Sequence, residues 1–185
     1  MDNLIDNLIK VNCIKKGKFK LRNGEESDIY FDLKSIISYP DILIDICEKL
    51  YIEIEKHYNL NLINSLIENH NLKICGVPIG GIPYSSYLST KYKIPMIIVR
   101  KEKKNYGLQK QIEGNFEKKN KCIIVEDVIT TGGSVKEVID IIKDKIDILC
   151  ICVIINRSNL IEIDGIKIIS ILDKQSLNSI NCKKI

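Results

Sequence analysis

Residues 72–172 predict an α/β domain: a mainly parallel central sheet flanked by helices. Residues 72–77, 96–99, 122–125, 148–155 and 166–172 are short, almost unbroken apolar runs, as strands buried on both faces require. The stretches 82–92 and 135–145 lie between runs and read as helices that would cover such a sheet, the second of them amphipathic. A third observation concerns where chemistry would sit. Four runs end in Gly76-Val77-Pro78-Ile79-Gly80-Gly81, Arg100-Lys101, Glu126-Asp127 and Asn156-Arg157, and ligands of such sheets bind beyond the carboxyl ends of the strands.

The N-terminal part follows a different pattern. Leu4, Ile5, Leu8 and Ile9 recur at helical spacing and predict a short opening helix. Phe19 and Leu21, then Ile29, Phe31 and Leu33, alternate around Asn23-Gly24, which predicts a hairpin with a tight turn at that pair. Ser38, with Pro40 and Asp41 after it, predicts a helix start. Ile42, Leu43, Ile46, Leu50 and Ile54 mark one face of the helix that follows. The Asn-rich residues 59–71 read either as a frayed continuation of that helix or as an inserted loop.

Composition narrows the class. A chain of 185 residues suits one domain over 1–185 with a real core. A hydrophobic fraction of 45% and a charged fraction of 28% are ordinary for a soluble protein. The net charge of +4 suits small polyanionic substrates and gives no reason to invoke nucleic acid. No C-x-x-C occurs among the seven cysteines, and Cys75, Cys122, Cys150 and Cys152 lie inside apolar runs. With only His57 and His70 present, a zinc site is not expected. Asp2 and Asp6 break any signal-peptide pattern, and no run reaches transmembrane length. The expectation is a reduced, cytoplasmic compartment without a membrane partner.

Residues 122–134 carry the most chemistry. An apolar run ends in two carboxylates, Glu126 and Asp127, then turns through Thr130, Thr131, Gly132, Gly133 and Ser134 into a helix. A lone acid pair would suit a solvated strand end, and a lone hydroxyl-rich turn would suit a helix cap. Together they suit a phosphorylated sugar: the turn's N–H groups and the helix N-terminus hold phosphate, and the acids accept from ribose hydroxyls. No G-x-x-x-x-G-K-[ST] occurs, so this is not a Walker loop.

This run resembles the fingerprint of type I phosphoribosyltransferases, which use 5-phosphoribosyl 1-diphosphate (PRPP). The resemblance implies that Glu126 and Asp127 contact the ribose hydroxyls. It also implies that Thr130 to Ser134 cradle the 5-phosphate, with Val128 and Ile129 completing the PRPP-binding run. Arg100-Lys101-Glu102-Lys103-Lys104-Asn105-Tyr106-Gly107 resembles the R-K-E-x-K-x-[HY]-G signature of orotate phosphoribosyltransferases. There it opens a mobile active-site loop, expected here through 109–114 and ending before Lys121. Arg100, Lys101, Lys104 and Tyr106 would then address the diphosphate, with Lys104 and Tyr106 reaching a neighbouring subunit's site. Residues 19–24 and 27–32 resemble the family's N-terminal hood, in which Tyr30 and Phe31 cover the pyrimidine and Arg22 joins PRPP binding. Many relatives have Lys at that last position. Arg157 matches an arginine associated with orotate, whose carboxylate suits a guanidinium fork, and Thr130 matches a residue assigned to the same ligand. The turn at 76–81 matches a pyrophosphate-binding turn that includes Ile79 and Gly80. Bacterial relatives often have Tyr-Lys at those two positions, and eukaryotic ones lack that Lys.

The resemblance therefore implies a type I phosphoribosyltransferase fold, with a hood of about 1–38 plus a C-terminal segment and a core of about 39–173. The implied reaction joins orotate and PRPP to give orotidine 5′-monophosphate and pyrophosphate in pyrimidine (UMP) synthesis. Lys101, Lys104 and Asp127 would be catalytic. Mg²⁺ would be bound mainly through PRPP rather than by direct protein ligands, and the unit would be a homodimer with shared sites. An orotidylate decarboxylase is a possible partner; in many eukaryotes it is fused to this domain, and no fused copy is expected in these 185 residues. A non-catalytic PRPP sensor, or an enzyme for another base, remains the alternative.

Overall fold

From residue 72 onward the apolar runs assemble into one seven-stranded sheet in the order β5-β4-β3-β6-β7-β9-β8. Its members are β3 (Leu72–Gly76), β4 (Met96–Val99), β5 (Ile112–Glu113), β6 (Lys121–Ile129), β7 (Asp147–Asn156), β8 (Glu162–Ile163) and β9 (Ile166–Leu172). The five longer strands pair in parallel, while the two-residue edges β5 and β8 pair antiparallel. This computed structural model describes residues 2–20, 24, 26–100 and 110–177. The chain divides into two units, Met1–Ile46 and Cys47–Ile185.

In the larger unit, α4 (Ile82–Tyr92) and α5 (Gly133–Ile142) occupy the predicted helical stretches. Val135, Val138, Ile139 and Ile142 of α5 are buried against Cys75, Val77, Ile97, Ile124, Ile151 and Val153 of the sheet. This is the all-apolar strand composition put to use: each strand needs cover on both faces. Cys75, Cys122, Cys150 and Cys152 are fully buried free thiols. A hydrogen bond with Cys75, then burial, pushes the Cys122 thiol well above its ordinary value, so it packs as a small inert hydrophobe. Among the described residues, no helix is long and apolar enough to cross a membrane.

Several boundaries differ from expectation for identifiable reasons. Residues 59–71 are neither frayed helix nor loop: Asn59 accepts from the Asn61 amide at 2.8 Å and caps a separate helix, α3 (Leu60–Glu68). The strand expected at 122–125 continues through both acids to Ile129, because its ten-residue partner β7 supplies ladder positions as far as Asn156. The loop expected to extend through 114 ends earlier. Ile112 and Glu113 pair with Val99 and Ile98, and the Arg100 amide donates to the Gln111 carbonyl at 2.8 Å.

In the smaller unit, α1 (Asp2–Lys10) precedes the antiparallel pair β1 (Ile14–Lys20) and β2 (Glu26–Phe31). Lys20 lies opposite Glu26, so five residues connect the strands; of these only Gly24 is described. Leu33 belongs to a 3-10 helix, Leu33–Ser38, rather than to the hairpin. Ser38 closes that turn, and α2 (Pro40–His57) starts at its proline, the position where a missing N–H costs nothing.

One polar cluster ties α2 to α4. Glu48 accepts from Tyr87 Oη at 2.7 Å and Tyr92 Oη at 2.8 Å, and pairs with Lys91 at 3.3 Å. The two tyrosine bonds, first among the causes, hold its carboxyl below the ordinary glutamate value. A depressed carboxyl stabilises the fold above the unfolded-chain value of about 4.3 and loses that contribution as pH falls through its lower folded value. Glu48→Gln should therefore lower Tm at neutral pH, by no more than about 2–4 °C for a carboxylate this exposed. In melts between pH 7 and pH 3.5 the gap to wild type should close at the acid end. A gap independent of pH would refute it.

Candidate active site

The site is built at the carboxyl ends of β3, β6 and β7. Glu126 and Asp127 are only 5% and 6% exposed. They are held by their own strand: the Asp127 amide donates to Glu126 Oε1 at 2.9 Å, and the Val128 amide donates to Asp127 Oδ1 at 2.8 Å. Two buried acids fixed by backbone N–H groups are preset acceptors, which a solvated strand end would not provide. Thr130, Thr131 and Gly133 are exposed, and Ser134 is half-buried. Gly132 takes φ +78° and forms the N-cap of α5 with no side-chain cap hydrogen bond, so the first N–H groups of the helix face the turn without competition from a cap side chain.

The turn after β3 closes on this acid pair. Val77 donates to the Val125 carbonyl at 2.8 Å, and Gly81 donates to the Val77 carbonyl at 2.9 Å. Gly80 is buried, and a Cβ there would overlap the Asp127 carboxylate, reaching 2.7 Å from Oδ1. A Cβ on Gly81 would fall 2.7 Å from the Val77 nitrogen. Ile79, at the apex, is 75% exposed. Gly81 belongs to the 76–81 turn that the sequence predicts, although Ile79 and Gly80 alone are singled out there as binding residues. The Gly80-Gly81 pair was the available signal, since adjacent glycines allow two backbones to touch.

β7 brings the arginine. Ile129 lies opposite Asn156, and the Arg157 amide donates to the Ile129 carbonyl at 2.9 Å, one residue before Thr130. Arg157 is half-buried, and burial lowers its guanidinium from the ordinary arginine value. A partly desolvated cation gains most from an anionic ligand. On the far side, Arg100 Nε donates to Glu113 Oε1 at 2.9 Å. β4 and β5 thus hold Arg100 and Gln111 together at the two ends of residues 101–109. A cavity of about 300 Å³ adjoins the turn that opens α5, lined by Val77, Pro78, Val99, Ser134, Glu137 and Val138 among others.

The structure thus brings together Ile79, Gly80, Glu126, Asp127, Val128, Ile129, Thr130, Thr131, Gly132, Gly133, Ser134 and Arg157 at one end of the sheet. Arg22, Lys101, Lys104 and Tyr106 lie outside the described residues. In the smaller unit, Tyr30 is exposed and stacks obliquely on Phe19 at 5.4 Å, whereas Phe31 is buried. Tyr30 is therefore the member of that pair with an aromatic face to offer. As for Mg²⁺, the adjacent carboxylates Glu126 and Asp127 are hard oxygen donors of the kind it accepts alongside phosphate oxygens, so the residues present fit that ion.

Residues 45–175 match the family described as the phosphoribosyl transferase domain. The chain is 41% identical over 157 residues to the orotate phosphoribosyltransferase of Pyrococcus horikoshii, covering 84% of this chain and 79% of that one. It belongs to the orotate phosphoribosyltransferase family. Among solved structures, the orotate phosphoribosyltransferase of Aeropyrum pernix shares this family fold with a TM-score of 0.78 at 23% identity, over 98% of this chain and 99% of that one. The chain is also 34% identical to the uridine 5′-monophosphate synthase of Caenorhabditis elegans, matching 80% of this chain but 29% of that protein. The mainly parallel sheet and its flanking helices are the type I phosphoribosyltransferase fold.

Proposed function

We propose that this protein transfers the phosphoribosyl group of PRPP to N1 of orotate, giving orotidine 5′-monophosphate and pyrophosphate in UMP synthesis. The observation that carries the reading is the hydrogen bond from the Arg157 amide to Ile129. It sets a guanidinium-bearing residue beside the acid pair and the phosphate turn. The turn from Thr130 to Ser134 holds the 5-phosphate, Glu126 and Asp127 hold the ribose hydroxyls, and Arg157 takes the orotate carboxylate. N1 forms its bond to C1 as the C1–O bond to pyrophosphate breaks, through an oxocarbenium-like transition state. With little covalent help from protein groups, rate comes from positioning and from charge stabilisation. Arg100, Lys101 and Lys104 supply that charge to the diphosphate, and Tyr106 adds a hydrogen bond to it. When bound, Mg²⁺ neutralises the leaving pyrophosphate; PRPP oxygens would hold it, with Glu126 and Asp127 as neighbouring donors.

Purified protein with PRPP and Mg²⁺ should consume orotate, followed by its ultraviolet absorbance, and leave hypoxanthine, adenine and uracil unchanged. Measurable PRPP binding without orotate loss would replace the enzyme with a sensor, and turnover of another base would replace the substrate. A homodimer with shared sites is part of the proposal. Mixing Lys104→Ala with Asp127→Ala subunits should regain up to about a quarter of wild-type activity, the share of sites with both residues intact in a random mixture. No regain would sink the shared site. A cytoplasmic location accords with the buried free cysteines. An orotidylate decarboxylase as partner is suggested by the likeness to uridine 5′-monophosphate synthase.

A further inference from the structure

We propose that Asn156 is a positioning residue for orotate, acting through Arg157. The inference rests on the proposed base site and adds a residue to it. Asn156 ends β7 and is 7% exposed, whereas the loop it opens is half-buried to exposed from Arg157 to Glu162. Such a loop has little side-chain packing to hold it, so hydrogen bonds must. Asn156 Oδ1 accepts from the Ser158 amide at 3.0 Å and from Ser158 Oγ at 2.6 Å. Asn156 Nδ2 donates to the Leu160 carbonyl at 2.8 Å. Ser158 Oγ in turn accepts from the Leu160 amide at 3.1 Å.

These bonds close a ring around Arg157. Its own amide is already fixed to Ile129, so the backbone is clamped on both sides of the Arg157 Cα, and this sets where its Cα–Cβ bond starts toward the ligand. The amide orientation is dictated by the partners: two donors face Oδ1, and a carbonyl faces Nδ2. Aspartate would keep the Ser158 bonds but set an oxygen against the Leu160 carbonyl. Alanine would lose the ring and take these partners from the Ser158 amide, Ser158 Oγ and the Leu160 carbonyl. The same ring places Leu160 close to the phosphate turn, where its Cδ1 lies 3.5 Å from the position of a Cβ on Gly132.

The test is a kinetic comparison of wild type, N156A, N156D, S158A, R157A and N156A/R157A, with Tm measured for each. Asn156→Ala should raise KM for orotate about tenfold, the effect of about one to two hydrogen bonds, while KM for PRPP stays within about twofold. N156D should fall between N156A and wild type. The double variant should bind orotate no worse than R157A, because the second change acts through a group already removed. Parallel rises in both KM values, or additive losses in the double variant, would show a merely structural role and overturn the proposal. If N156A does not fold, S158A carries the test: a roughly threefold rise in orotate KM supports the inference, and no rise overturns it. If R157A leaves orotate KM unchanged, the base-site reading fails and this inference with it. If R157A raises it and N156A does not, this inference alone fails.

Discussion

Gly80→Lys is expected to lower kcat/KM for PRPP on the order of 100-fold, the scale of loss that a misplacement of about 1 Å causes in an active site. The sequence suggests the opposite: bacterial relatives often carry Lys here, and an added cation ought to strengthen diphosphate binding. The structure reverses the sign. A Cβ on Gly80 would occupy the space of the Asp127 carboxylate, reaching 2.7 Å from Oδ1, and Asp127 is buried and tied to the Val128 amide. Its short side chain can yield only by giving up that orientation, so the acid proposed to position the ribose is displaced before the new ammonium reaches any ligand. Gly80→Ala should show most of the same loss, since the Cβ and not the charge is responsible. Steady-state kinetics in PRPP and a thermal melt separate a displaced acid from a damaged fold. A Lys variant with unchanged or tighter PRPP binding would refute the steric account.

Gly132→Val is the second large effect. Gly132 sits at φ +78° as the N-cap of α5, a conformation costing an L-residue roughly 1–2 kcal/mol and a β-branched one more. A Cβ there would also come 2.8 Å from Ile163 Cδ1, and Ile163 is buried in the core beside α5. The two penalties act together. The turn must open, and its N–H groups no longer converge on the proposed phosphate position. PRPP KM should rise at least about tenfold, with Tm falling by roughly 2–8 °C, the shift of ~1–2 kcal/mol in a domain of this size. Gly133→Ala is the stability control: its Cβ would meet only Thr131 Oγ1, at an ordinary 3.7 Å. Equal losses of Tm in the two variants would show that backbone conformation at 132 is not the cause.

Periodicity revealed much of the architecture. Apolar runs buried on both faces can hardly be anything but central strands, and the strands at 96–99 and 166–172 match their predicted bounds. The short edges β5 and β8 were invisible, because two residues carry no period and exist only through pairing with β4 and β9. Helix α3 was hidden for a different reason. Its start depends on one Asn side chain turning back to an amide, and in an Asn-rich stretch every residue offers that option.

At the site, the sequence was enough to identify the chemistry. Adjacent acids, a hydroxyl- and glycine-rich turn and a strand-end arginine are residue types that few other ligands require together, and their order along the chain survives folding. Contact across the sheet was beyond its reach. That Asp127 leans on Gly80, 47 positions earlier, or that the Arg157 amide is held by Ile129 from a neighbouring strand, follows from strand register and turn shape. Those distances are set by how β3, β6 and β7 align, and which residues face each other across strands far apart in sequence is fixed only when the whole sheet assembles.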